Sequence, residues 1–172
     1  DYFIMGLDIS HCFNFLSRAL TLKIYSYDVP HIYMFKRREA VCPTIRMDRT
    51  GLFAFLTFGG INQGSAGGPF DAAFVIGEVL QNAKAVLARS FRECGFENDD
   101  DFHTALSTIR ILGIADDIRF AVPYVHAQLG ARLVAEFQRQ LAAIANLELN
   151  QGKCQIITNI SGDLEVPAGA DS

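Results

Sequence analysis

Apolar positions along this chain fall into a few patterns that predict its elements. Tyr2 to Ile9, YFIMGLDI, is almost continuously apolar and carries one charge, Asp8; a short run of that kind predicts a buried strand. From His11 to Tyr27, Phe13, Leu16, Leu20 and Ile24 recur at spacings of three and four, which predicts a helix. Pro30 and Pro43 bracket a stretch read as irregular, with the basic run Lys36-Arg37-Arg38 inside it. Ile45 to Phe58 predicts a hairpin, IRM and LFAFLTF around a turn at DRTG. Gly59 to Gly68, GGINQGSAGG, is too rich in glycine for anything but a loop at its start, and Pro69 suits the first turn of a helix over Phe70 to Arg92. Asn98 to Asp101, NDDD, reads as a solvated acidic turn.

Thr108 to Leu112 and Ile118 to Val122 predict the two strands of a second, tight hairpin. Leu129, Leu133, Phe137, Leu141 and Ile144 then share one face of a helix over Ala127 to Ala145. Leu147 to Asn150 and Gln155 to Thr158 flank a turn at Gln151-Gly152-Lys153, and the tail GDLEVPAGADS reads as loosely ordered. Strands that alternate with single helices in this order predict a two-layer α+β domain, with helices on one face of a mostly antiparallel sheet. Residues 1–160 are assigned to that domain and 161–172 to the tail.

Composition narrows the picture without deciding it. The chain has 172 residues, 50% hydrophobic and 20% charged, which is a globular balance for one domain. No apolar run approaches the roughly 18 residues of a membrane span. The N-terminus has no basic flank or small-residue cleavage site, so it is not read as a signal peptide. A strand entered that directly is expected in a piece of a longer chain. Cys12, Cys42, Cys94 and Cys154 form no Cys-x-x-Cys pair, so buried reduced thiols in an intracellular protein, nuclear or cytoplasmic, are expected rather than a zinc site. The net charge of −4 does not point to nucleic acid by itself.

Against that background LGIADDIRF, Leu112 to Phe120, stands out. Asp is a poor strand former and is seldom buried unpaired, yet Asp116 and Asp117 interrupt an apolar segment. At a hairpin tip they face either water, as a solvated turn, or a metal. If that hairpin and the first strand are neighbours, Asp8 and Asp116 share one site. Two unpaired carboxylates held that close repel unless a cation lies between them, and hard oxygen donors suit magnesium.

Four blocks in order resemble the palm domain of reverse transcriptases, most of all those of non-LTR retrotransposons. Leu7-Asp8-Ile9-Ser10-His11-Cys12-Phe13-Asn14 is similar to the family's first palm motif. Gly60 to Pro69 is similar to its Gln-Gly-Ser/Asp-Pro-Leu-Ser/Gly-Pro signature, with Ala66 and Gly67 where Pro-Leu is usual. Ile114-Ala115-Asp116-Asp117 resembles Tyr/Phe-Ala-Asp-Asp, with Ile114 replacing the aromatic. Leu147 to Cys154 resembles Leu-x-Leu-Asn-x-x-Lys-Cys/Thr.

The resemblance implies RNA-directed DNA polymerase activity: templated transfer of deoxynucleotides onto a primer 3′-hydroxyl with two magnesium ions, for which manganese can substitute. Asp8, Asp116 and Asp117 would be the metal carboxylates, Asp8 and Asp116 holding the ions and Asp117 supporting them, and Lys153 a proton donor to the pyrophosphate. Ile9, Phe13, Gln63 and Gly64 would contact the nucleotide, Phe13 as a steric gate against a 2′-hydroxyl. Partners would be an RNA template, a DNA primer, deoxynucleoside triphosphates, and fingers and thumb domains docked on exposed apolar surface. Lys36-Arg37-Arg38 would touch a backbone phosphate or form a solvated face. The alternative is a catalytically inactive palm remnant that binds nucleic acid or protein. A nucleotide cyclase or an RNA-templated RNA polymerase is opposed by Phe13 and by Gln63-Gly64-Ser65.

Overall fold

The computed structural model describes residues 1–41, 44–47, 50, 54–57, 60, 67–114 and 117–158, the side chains of 41, 44–47, 54–57 and 114 apart. Its elements are β1 (Tyr2–Asp8), α1 (Cys12–Phe15), α2 (Arg18–Asp28), α3 (Pro30–Val41), β2 (Thr44–Met47), β3 (Ala54–Thr57), α4 (Gly68–Arg89), α5 (Asp99–Thr108), β4 (Arg110–Ile114), β5 (Asp117–Pro123), α6 (Ala127–Gln140) and β6 (Gln155–Thr158).

Four strands form one antiparallel sheet in the order β4-β5-β1-β6. The first strand in the chain is therefore central, flanked by the later hairpin and by the last strand, a split β-α-β arrangement. Helices α4 and α6 pack on each other and cover one face, α4 against β4 and α6 against β5. The alternation within the strands fits this layering. Phe3, Met5 and Leu7 of β1 and Ile118, Phe120 and Val122 of β5 are buried, while Tyr2, Ile4, Asp117 and Arg119 between them are exposed. Helix α4 contributes Ala72, Val75, Val79 and Ala83 to the core, and α6 contributes Leu129, Leu133 and Phe137. The fold is thus two-layer α+β and palm-like, as the element order predicts.

Several boundaries differ from the sequence reading, each for a local reason. The helix expected over 11–27 is two helices, because Ser17 leaves the helical region to cap α2, its side chain accepting the Leu20 N–H at 3.3 Å. The stretch between Pro30 and Pro43 contains α3, with Pro30 as its first residue, where the missing N–H costs nothing. Helix α4 ends at Arg89 rather than Arg92. NDDD is not a solvated turn: Asn98 caps α5, its Oδ1 accepting the Asp101 N–H at 2.8 Å, and Asp99 to Asp101 occupy the first turn, where the helix dipole favours acid. Helix α6 continues into a wider turn, Leu141–Ala145, that ends at Asn146 with φ 52°. The early hairpin forms as β2 and β3. The tail assigned to 161–172 lies outside the described residues.

Candidate active site

Asp8 closes β1 and Asp117 opens β5, and the two are direct partners in the antiparallel register. Leu7 and Ile118 beside them are buried, so both aspartates stand on the face opposite the helices. Directly opposed side chains have Cβ atoms about 4.5–5.5 Å apart, and like charges there repel. Each carboxylate has its own cation. Lys153 Nζ lies 3.7 Å from Asp8 Oδ2, and Arg119 Nη2 lies 3.4 Å from Asp117 Oδ2. These are exposed pairs worth about 1 kcal/mol or less, so both carboxylates stay open to a stronger cation.

The position of Lys153 follows from backbone bonds rather than from its own flexible stem. The Asn150 N–H donates to the Asp8 carbonyl at 2.8 Å, and the Ser10 N–H to the Glu148 carbonyl at 2.9 Å. Ile9 and Leu149 form an isolated bridge between these bonds. A short 3₁₀ turn, Gln151–Lys153, then carries the lysine back toward Asp8. The segment Leu147 to Asn150 thereby extends the sheet past the end of β1.

Of the sequence-predicted site residues, the fold brings together Asp8, Asp117 and Lys153. Ile9 and Phe13 belong to the buried core, 1% and 9% exposed. Asp116, Gln63 and Gly64 lie outside the described residues, as do Ala66 and Cys42. Ala115 and Asp116 are the two residues between the paired Ile114 and Asp117. Two carboxylates of this kind are oxygen donors of the sort magnesium takes, since it binds few protein groups. Among the described residues no cluster of three or more His, Cys, Asp or Glu forms. Among the described residues, Cys12, Cys94 and Cys154 form no disulfide. The open face also exposes Tyr2, Ile4, Leu112 and Ile157.

A second polar cluster was not anticipated. Asp71, in the first turn of α4, is buried. Its Oδ1 accepts the Tyr25 hydroxyl at 2.8 Å and lies 3.0 Å from Lys36 Nζ, which is also 3.1 Å from Oδ2. Lys36 pairs as well with Glu39 at 3.2 Å and lies over the Tyr25 ring, 5.6 Å from its centroid. Burial and the Asp71 carboxylate beside it push the Tyr25 hydroxyl well above its usual range. Burial alone would lower the Lys36 ammonium, but the hydrogen bonds and charges of Asp71 and Glu39 outweigh it and raise it. Lys36 is therefore not part of a solvated basic face, whereas Arg37 and Arg38 are exposed. The available signal was periodic: Asp71 stands one turn before Val75 and two before Val79, on the buried stripe of α4.

No family model matches the chain, and no curated protein matches it. Among solved structures it is similar to one of telomerase from Candida albicans in complex with a TWJ fragment of telomeric RNA. The match has a TM-score of 0.59 at 11% identity, and covers 92% of this chain and 28% of that one. The chain thus spans under a third of that protein's length. The likeness shows that this chain shares its fold with part of that structure.

Proposed function

We propose that this chain is the palm of an RNA-directed DNA polymerase of the non-LTR retrotransposon type, occupying residues 1–160 of the sequence and transferring deoxynucleotides onto a primer 3′-hydroxyl. The observation that carries the reading is the pairing of Asp8 with Asp117 on the open face, with Lys153 against Asp8. A metal-dependent transferase needs carboxylates from separate strands brought to one point, and this register does that.

Asp8 and Asp117, with Asp116 beside them in sequence, would hold magnesium. Bound there, two such ions stabilise the attacking and leaving oxygens of phosphoryl transfer. Lys153, now against Asp8, would exchange that contact for one with the leaving pyrophosphate and donate a proton to it. Gln63 and Gly64 would contact the incoming nucleotide. Template, primer, and fingers and thumb domains would meet the open face, whose exposed Ile4, Leu112 and Ile157 suit docking. No helix among the described residues is long and apolar enough to cross a membrane.

The burial of Phe13 favours a second reading, an inactive palm that binds nucleic acid or protein, because a buried ring contacts no nucleotide. Calorimetry with manganese separates the two. The polymerase reading expects binding that is lost in Asp8→Ala and in Asp117→Ala, and primer extension by the full-length protein that is lost with it. Binding indifferent to both substitutions, with primer–template and deoxynucleotide present, would leave the remnant.

A further inference from the structure

We propose that the cleft between α4 and the free edge of β4 docks an extended segment of a partner protein, apolar at alternate positions and bearing a carboxylate, which adds a strand to the sheet. None of Asp8, Asp117 and Lys153 lines this cleft, so docking there is independent of nucleotide transfer.

Strand β4 ends the order of the four-stranded sheet, and among the described residues no strand pairs with its outer edge. Such an edge keeps a row of backbone donors and acceptors that pair readily with another extended chain. Beside it, α4 carries two stripes. One, with Val75, Val79 and Ala83, packs in the core. The other, Ala73, Gly77, Leu80 and Lys84 at helical spacing, borders with Ile111 and Gly113 of β4 a cleft of about 410 Å³. Ala73 is exposed, and Gly77, Leu80 and Ile111 are half-buried, so these walls still meet solvent.

The two glycines point to a backbone as the occupant. Gly77 lies within the 22-residue helix α4, where glycine is less favourable than alanine. A Cβ on it would meet nothing within 4 Å, and one on Gly113 would meet only Ile118 Cγ1 at 4.0 Å. Neither glycine has a positive φ. Neither packing nor backbone conformation among the described residues therefore requires glycine at either position. Glycines on both walls of one cleft suit the close approach of another backbone.

Charge selects the partner. Lys84 and Arg110 both border the cleft, and neither forms an ion pair among the described residues. A carboxylate on the incoming strand would pair with them. A second copy of this chain fits less well, because β4, RILGI, brings another arginine and no acid.

The test selects binders from a library of displayed random peptides on the full-length protein. Selected peptides should alternate apolar residues and carry Asp or Glu. Gly77→Leu projects into open space, so the protein should melt no lower than the parent, yet lose peptide affinity by about tenfold or more. Lys84→Glu and Arg110→Glu, both at sites that reach solvent, should each weaken binding by about fivefold or more. Bound peptide should slow amide exchange in Arg110–Ile114 and leave β6, at the other edge, unchanged. Gly77→Ala should raise the melting temperature; a fall would mean that the helix needs its glycine for packing, against the proposal. A library that yields no binder overturns the docking site, as do binders that Gly77→Leu retains and protection that falls on β6. Binders that lack acid, or that ignore both charge reversals, overturn the acidic partner, and protection of β4 by single-stranded RNA in place of peptide overturns a protein one.

Discussion

Lys153 Nζ lies 3.7 Å from Asp8 Oδ2, on a turn anchored by the bond from the Asn150 N–H to the Asp8 carbonyl. On the proposed polymerase reading, a metal held by Asp8 would have to displace the lysine from that carboxylate. Lys153→Met should tighten manganese binding by a few-fold, the size of a weak exposed ion pair, while slowing nucleotide transfer. Titration calorimetry beside primer extension checks it; weaker metal binding would mean that the lysine supports the site rather than competing for it.

Gly130 of α6 sits against Val122 of β5 so closely that a Cβ would lie 2.6 Å from Cγ1 and 2.9 Å from Cγ2. Gly130→Ala should destabilise the domain by about 1–3 kcal/mol through overpacking, despite alanine's better helix propensity. Val122→Ala should recover part of that loss in the double variant. Chemical denaturation of the three variants measures it.

Removing the cap of α5 by Asn98→Ala should cost about 1 kcal/mol, because the Asp101 N–H loses its acceptor. Amide exchange should quicken first in Asp99–Thr108, while the central strands keep their protection.

Stability should fall at alkaline pH through the Tyr25–Asp71–Lys36 cluster. The folded Tyr25 hydroxyl resists ionisation more than the unfolded one does, so the folded state loses ground once the pH passes about 10, where the unfolded tyrosine ionises. Lys36 acts in the same direction: its raised value gives stability that is complete below about 10.4 and lost as pH climbs through the folded value. Tyr25→Phe should flatten the decline seen in thermal melts between pH 9 and 11 (roughly the window those reference values set).

Glu136 gives the opposite slope. The Arg139 hydrogen bond holds its carboxyl below the usual range, against the effect of burial, with help from Gln140. Its contribution is present above the unfolded value of about 4.3 and lost as pH falls through the folded one. Glu136→Gln should therefore be less stable than the parent near neutrality and converge with it below about pH 4, by melts across that range.

The strands were legible because their faces alternate, and the long helices because Val75, Val79, Leu133 and Phe137 fall on single stripes. Helix α3 was hidden by its proline and basic run, and α5 by three aspartates that signal a turn and a helix start equally well. Of the candidate site, Asp8 and the aspartate pair stood out from the sequence, since charge within an apolar run demands a reason. Lys36 did not, because a lysine between exposed neighbours shows nothing of where its stem leads.

The sequence by itself determined which residues alternate, which helices have an apolar stripe, and that carboxylates end two strands. Local periodicity is enough for that, because it needs no partner. Tertiary structure alone decided that Asp8 faces Asp117, since register between distant strands is set when their apolar faces meet one helix layer, and a slip of one residue would turn every side chain over. It also decided that Lys36 points inward to Asp71: a buried carboxylate far along the chain, with Gly67 leaving the space open, made the interior the better place for that charge.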